Sequence, residues 1–139
     1  MRRKRLALLA IGGIAGGLTL AAAPRAPAWA QAQAGLWEIT GAPGSKAPVR
    51  QCIADVGVLA EFEHRGKNCS PKAISNNANS TVLEYSCGSA GFGRTEVDVI
   101  TPRSLRIDTQ GISAQMPFGY VLQARRVGDC PAQAVPPRH

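Results

Sequence analysis

Histidine is nearly absent from this chain: there are two, His64 and the terminal His139. Imidazole is the commonest general base and metal ligand at neutral pH, so its scarcity removes most hydrolytic and metal-centred chemistries. No Cys-x-x-Cys pair occurs either; Cys52, Cys69, Cys87 and Cys130 are all widely spaced. Cysteines joined as disulfides cannot act as thiolate ligands or nucleophiles. Aromatic residues make up only 5% of the chain, and none interleaves Glu96, Asp98 and Asp108. Those carboxylates therefore lack the walled cleft that glycoside hydrolysis needs and are expected on a solvated polar face. The glycine-rich run 89–93 has no lysine and no strand–loop–helix setting for a phosphate loop, and Ser86 and Ser113 have no histidine–acid companions. Glu61 and Glu63 beside His64 could hold a divalent ion loosely, but a solvated loop after a weak helix is the plainer expectation. No catalytic residue, no metal site and no cofactor is expected: the chain reads as a non-enzyme.

What is present begins with the segment Met1–Ala30. Arg2, Arg3, Lys4 and Arg5 precede an uncharged apolar stretch at 6–23, and Ala28-Trp29-Ala30 fits the small-x-small rule of signal peptidase. A signal peptide over 1–30 is expected, cleaved after Ala30 on the general secretory route into the periplasm. An uncleaved anchor is the competing account, since the apolar run from Leu6 through Ala23 approaches the length of a membrane span. Four glycines in the stretch and the helix-stopping Pro24 and Pro27 weaken it. All four cysteines lie beyond this segment, as suits a protein stapled by two disulfides in an oxidising compartment.

The leader also carries most of the charge. The whole chain is +7, but five of its sixteen Lys/Arg lie in 1–30, leaving eleven against nine Asp/Glu, or +2. Arg125-Arg126 is the one adjacent basic pair that remains. Nucleic-acid binding, which needs clustered cations to neutralise phosphates, is not expected.

The chain from Gln31 onward suffices for one domain with a modest core. Residues 31–34 read as a short polar extension, 35–130 as the folded domain, and 131–139, with three prolines, as a disordered tail. Within the domain the apolar pattern has period two, which indicates strands. Strands are expected at 36–40, 49–53, 69–75, 80–87, 95–99, 105–109 and 120–127, with an irregular link through 110–119. The stretch 55–62 is the one plausible helix, with Asp55 as N-cap and Val58, Leu59 and Phe62 on its buried face. The fold class is mainly β: a curled antiparallel meander of six or seven short strands. The expected core is Trp37, Ile39, Val82 or Leu83, Val97, Val99, Ile107 and Val121; the pattern leaves closure into a barrel open.

Two hairpins give registers. One turns at Asn76-Asn77-Ala78-Asn79, where asparagine tolerates positive φ; centred on Ala78, it sets Cys69 opposite Cys87, Lys72 opposite Glu84 and Ile74 opposite Val82. The other turns at 101–104, with Pro102 kept out of the ladder, and sets Asp98 beside Arg106 and Val97 beside Ile107. Four cysteines allow three pairings; the first register favours Cys69–Cys87, leaving Cys52–Cys130.

Gly35-Leu36-Trp37-Glu38-Ile39-Thr40, Gln51-Cys52-Ile53, Asn68-Cys69, Tyr85-Ser86-Cys87 and the closing Gly128-Asp129-Cys130 occur in that order behind the leader. In this the chain resembles an uncharacterised bacterial exported family, number 3617 among the domains of unknown function, from about Gly35 to Cys130. The resemblance implies an envelope location and a disulfide-linked β domain, and it transfers no catalytic residue. The chain departs from the family in a short insert at 41–48 and in having Met116 as its one methionine after Met1. A methionine-based soft-metal site is accordingly not expected.

Two functions are compatible with these observations. The first is a monomeric periplasmic binding or interaction module for an unknown envelope ligand or protein, with Trp37, Phe92, Phe118 and Tyr120 as candidate ligand-lining residues. The second is a small envelope hydrolase or hydrolase inhibitor, the inhibitor presenting an exposed loop at 101–104 or 111–119.

Overall fold

The structure, a computed structural model, describes residues 25–132. The basic start and apolar stretch expected of the signal peptide, and the disordered tail expected beyond residue 132, lie outside them. Seven antiparallel strands form one curled, unclosed sheet: β1 Gly35–Thr40, β2 Val49–Ile53, β3 Ser70–Asn76, β4 Ser80–Ser86, β5 Gly91–Thr101, β6 Ser104–Ser113 and β7 Met116–Gly128. Their order is β2-β1-β7-β6-β5-β4-β3, so β3 to β7 run as a meander and β7 returns beside β1. The chain passes from one edge, β2, to the other, β3, through a 3₁₀ helix, Val56–His64, which packs on the concave face against β5 and β6.

The period-two pattern works as expected over most of the sheet. Trp37, Ile39, Leu83, Val97, Val99, Leu105, Ile107, Leu122 and Ala124 are buried on the concave face, where each large side chain contributes about 1.5–3 kcal/mol of burial. Val121 is exposed and Leu122 takes the core position, because β7 pairs Leu122 with Ile107 and turns its neighbour outward. β7 also begins at Met116, and β6 runs on to Ser113. The expected link is therefore a continuous ladder joined by Ala114 and Gln115, both at positive φ. A two-residue turn with positive φ matches the twist of a hairpin, but Ala-Gln is not the usual sequence for it.

The helix is capped where expected, Asp55 Oδ1 accepting from the Gly57 N–H at 2.9 Å. Its first turns put Val56 and Leu59 inward and leave Val58 outside, and a break at Glu61, whose φ and ψ of −115° and 31° are not helical, precedes the short last turn that buries Phe62 and His64. In the β3–β4 hairpin Lys72 does pair with Glu84, but a bulge after Ala73 sets Ser75 rather than Ile74 opposite Val82. The turn asparagines keep negative φ; Asn77 N–H closes it onto the Ser80 carbonyl. The β5–β6 register is the expected one, Asp98 with Arg106 and Val97 with Ile107.

Both disulfides are those favoured from sequence, Cys69–Cys87 and Cys52–Cys130. They sit at diagonally opposite corners of the sheet, each pinning an edge strand. In the loop-closure account the 18-residue and 78-residue separations contribute about 3 and about 4.5 kcal/mol. β3 is exposed along nearly all its length; Pro71, Lys72 and the bulge at Ile74 blunt it against pairing with another chain. Residues 31–34 are tied to the domain. The Gln33 N–H donates to the Pro102 carbonyl, and the Trp37 indole donates to the Gln33 carbonyl, both at 3.0 Å.

Candidate functional site

One rung of the concave face differs from the rest. Tyr85, Gly93, Gly111 and Phe118 lie side by side across β4, β5, β6 and β7. A Cβ at Gly93 would fall 2.5 Å from the Tyr85 ring. One at Gly111 would fall 2.2 Å from the Phe92 carbonyl and 3.0 Å from the Phe118 ring. The two glycines thus let two aromatic rings lie on the sheet itself. His64, at the end of the helix, descends between them, edge-on to Tyr85 at 5.4 Å and to Phe118 at 5.8 Å between ring centroids.

Far from being solvated, His64 is 3% exposed. Its Nε2 lies 3.2 Å from the Ala90 carbonyl and its Nδ1 3.2 Å from the Tyr85 hydroxyl. A carbonyl only accepts, so Nε2 donates to Ala90; in the neutral ring Nδ1 then accepts from the Tyr85 O–H. On the next rung Thr95 donates to the Ala60 carbonyl at 2.7 Å, which leaves Thr109 to donate to Thr95 at 2.8 Å. Tyr120 donates to Glu63 Oε2 at 2.9 Å. Burial, followed by the hydrogen bond and charge of Glu63, holds the Tyr120 phenol well above its ordinary range. Burial also raises Tyr85, and it raises Glu61 against the opposing influence of His64. With both nitrogens hydrogen-bonded inside the fold, His64 ties the helix to the sheet.

The outer side of the sheet is polar. Glu38 pairs with Arg50 and Arg125, and Arg106 bridges Asp98 and Asp108 at 3.6 and 3.0 Å. Glu96 accepts from Ser80 at 3.3 Å. Each carboxylate of this face thus has a partner, Asp98 and Asp108 sharing Arg106, as suits a solvated surface. At the glycine end the same side opens into a cleft of about 590 Å³, bounded by Ser70 and Lys72 of β3, Glu84 and Ser86 of β4, Phe92 and Arg94 of β5, and Gln110 of β6. Arg94 and Glu84 pair across it at 2.9 Å. Phe92, 56% exposed, stands at its margin as the one aromatic side chain among the exposed large apolar residues of the described chain.

The four candidate ligand-lining residues do not converge. Trp37 is wholly buried core. Phe118 and Tyr120 are brought together on the concave face, 5.9 Å between ring centroids, beneath the helix. Phe92 alone faces an open cleft. The loop foreseen at 111–119 is strand and turn, so exposure there is confined to a hairpin end. Tyr85, Gly93 and Gly111 are not expected as a unit from the sequence, and His64 is expected outside. A signal was present: continuing the Asp98–Arg106 register along both strands sets Gly93 opposite Gly111.

Among the described residues no helix is long and apolar enough to cross a membrane, and no cluster of three or more metal-ligating side chains occurs. No curated protein and no solved structure matches the chain. The sequence model of a family described as Protein of unknown function (DUF3617) matches residues 32–130. The chain, with its ordered cysteine segments and the disulfides they form, belongs to the DUF3617 family.

Proposed function

We propose that this is an exported, periplasmic, non-catalytic binding domain, processed after Ala30, that holds a small envelope-derived ligand or a partner's side chain in the outer cleft beside Phe92. The observation that carries the reading is the exposed Phe92 ring at the margin of a 590 Å³ space, a volume within the range of small-molecule sites. The concave side is less suited, because the helix Val56–His64 packs against it and His64 has no free nitrogen. Arg94, Glu84, Ser86 and Gln110 supply polar groups around the ring, so the preferred ligand has an apolar body and a polar head. Two disulfides and the basic, apolar, small-residue order of Met1–Ala30 support export.

The test is native mass spectrometry of the protein purified from the envelope fraction, beside a Phe92→Ser variant prepared identically. A ligand adduct on the parent that the variant lacks is the expected result. An adduct of equal occupancy on both proteins would move the site elsewhere, and no adduct on either would set aside small-ligand carriage.

A further inference from the structure

The short 3₁₀ segment Ala28–Gln31 sits in a groove supplied by the rest of the domain, against β4, β5 and the helix. Pro27 leads into it with φ −59° and ψ 149°, the polyproline conformation. Ala28 is 3% exposed, and its N–H donates to Thr81 Oγ1 at 2.7 Å. The Thr81 hydroxyl donates in turn to Asn76 Oδ1 at 2.6 Å. Asn76 Nδ2 donates to the carbonyls of Arg25 and Ala26 at 2.7 and 3.0 Å. Trp29 lies against Gly57, where a Cβ would come within 3.1 Å of the indole nitrogen, and the indole forms one wall of an adjoining space of about 280 Å³ that Ala60 and Leu83 also line.

This groove selects what it holds in three ways. Asn76 and Thr81 grip main-chain groups, which any peptide offers. The seat of Ala28 is closed around a methyl group. The seat beside Gly57 takes a flat ring. Thr81 has no exposure at all while the segment is in place; removing the segment takes the Ala28 N–H from the Thr81 hydroxyl and two carbonyls from the Asn76 amide, uncovering groups aligned to meet a main chain.

Ala28-Trp29-Ala30 is also the small-x-small tripeptide, so the residues that fill the groove are those that processing after Ala30 would take away. We propose that the groove between Asn76, Thr81 and Gly57 is a docking site for a proline–small–aromatic segment of a partner polypeptide, covered in the precursor by the chain's own Arg25–Ala30 stretch and opened by cleavage. The inference rests on the export reading above and is independent of the Phe92 cleft.

The experiment uses the full chain exported with its leader and purified from the envelope fraction. Its intact mass is measured, and it is titrated with a fluorescently labelled hexapeptide of residues 25–30, Arg-Ala-Pro-Ala-Trp-Ala. A mass beginning at Gln31 with saturable binding is expected. Trp29→Ala or Ala28→Phe in the peptide, or Asn76→Ala in the protein, is expected to weaken binding about tenfold or more. The peptide variants leave the protein untouched and decide the matter even where Asn76→Ala does not fold. A mass that retains residues 25–30 overturns the processing and with it any open groove. A mass beginning at Gln31 without saturation by about 1 mM peptide, or with binding indifferent to both peptide substitutions, overturns the groove while leaving export intact.

Discussion

Toward the β5–β6 turn the concave face is aliphatic: Ile39, Ala124, Leu105 and Val99 form one rung, and Leu122, Ile107, Val97 and Thr81 the next. Toward the other end the rungs are Tyr120, Thr109, Thr95 and Leu83, then Phe118, Gly111, Gly93 and Tyr85. Both halves face the concave side, Phe118 and Tyr120 only half-buried, yet the two are held by different physics. The aliphatic half gains by transfer of apolar surface out of water, which is additive and tolerant of shape. The other half depends on a missing Cβ under each ring and on a hydrogen bond for each buried polar group, and so has little slack. The outer cleft lies behind this second half, so the demanding packing fixes the strands that frame it.

The largest effect separating the halves is expected from Ile107→Ala, which empties a fully buried position and costs about 3–4 kcal/mol in denaturant unfolding. It should leave the His64–Tyr85 bond, read from the imidazole proton resonances, unchanged. Gly93→Ala adds a single methyl group and is expected to cost about 2 kcal/mol, because that methyl falls on the Tyr85 ring. A neutral result would break the comparison. Tyr85→Phe keeps the ring and leaves His64 Nδ1 without its donor, for a loss of about 1–2 kcal/mol by thermal or denaturant unfolding.

The two halves also differ in their response to pH. Tyr85 and Tyr120 have raised folded-state values, so the unfolded chain releases these protons first. The stability they contribute is fully present below about pH 10, the ordinary tyrosine value, and is lost as pH rises beyond it. Unfolding midpoints should therefore fall on the alkaline side, and Tyr120→Phe should flatten that fall. Smallest of all, Arg94→Ala breaks an exposed ion pair on the outer face and is expected to shift stability by less than about 1 kcal/mol.

The aliphatic half is legible in the sequence because alternation there is uninterrupted: Val97 and Val99, then Leu105 and Ile107, state their own face. The second half is not, since Thr95, Thr109, Gly93 and Gly111 occupy inward positions without an apolar side chain to mark them. Val121 and Leu122 are both apolar, so period alone does not choose between them. That choice comes from the pairing of Leu122 with Ile107. His64 reads as solvated because two glutamates precede it and glycine follows soon after; only the break in the helix at Glu61 and the ring seats opposite carry it inward. The positive-φ turn at Ala114-Gln115 has no sequence mark, which hides the continuity of β6 and β7.

Whether Gly93 is glycine so that the Tyr85 ring can lie on the sheet beneath His64 is decided by a double-mutant cycle of Gly93→Ala with Tyr85→Leu, read by denaturant unfolding. Gly93→Ala is expected to destabilise the parent but to be neutral or stabilising beside Leu at position 85, where the shorter side chain leaves the methyl group free. An equal cost of Gly93→Ala in both backgrounds would contradict it.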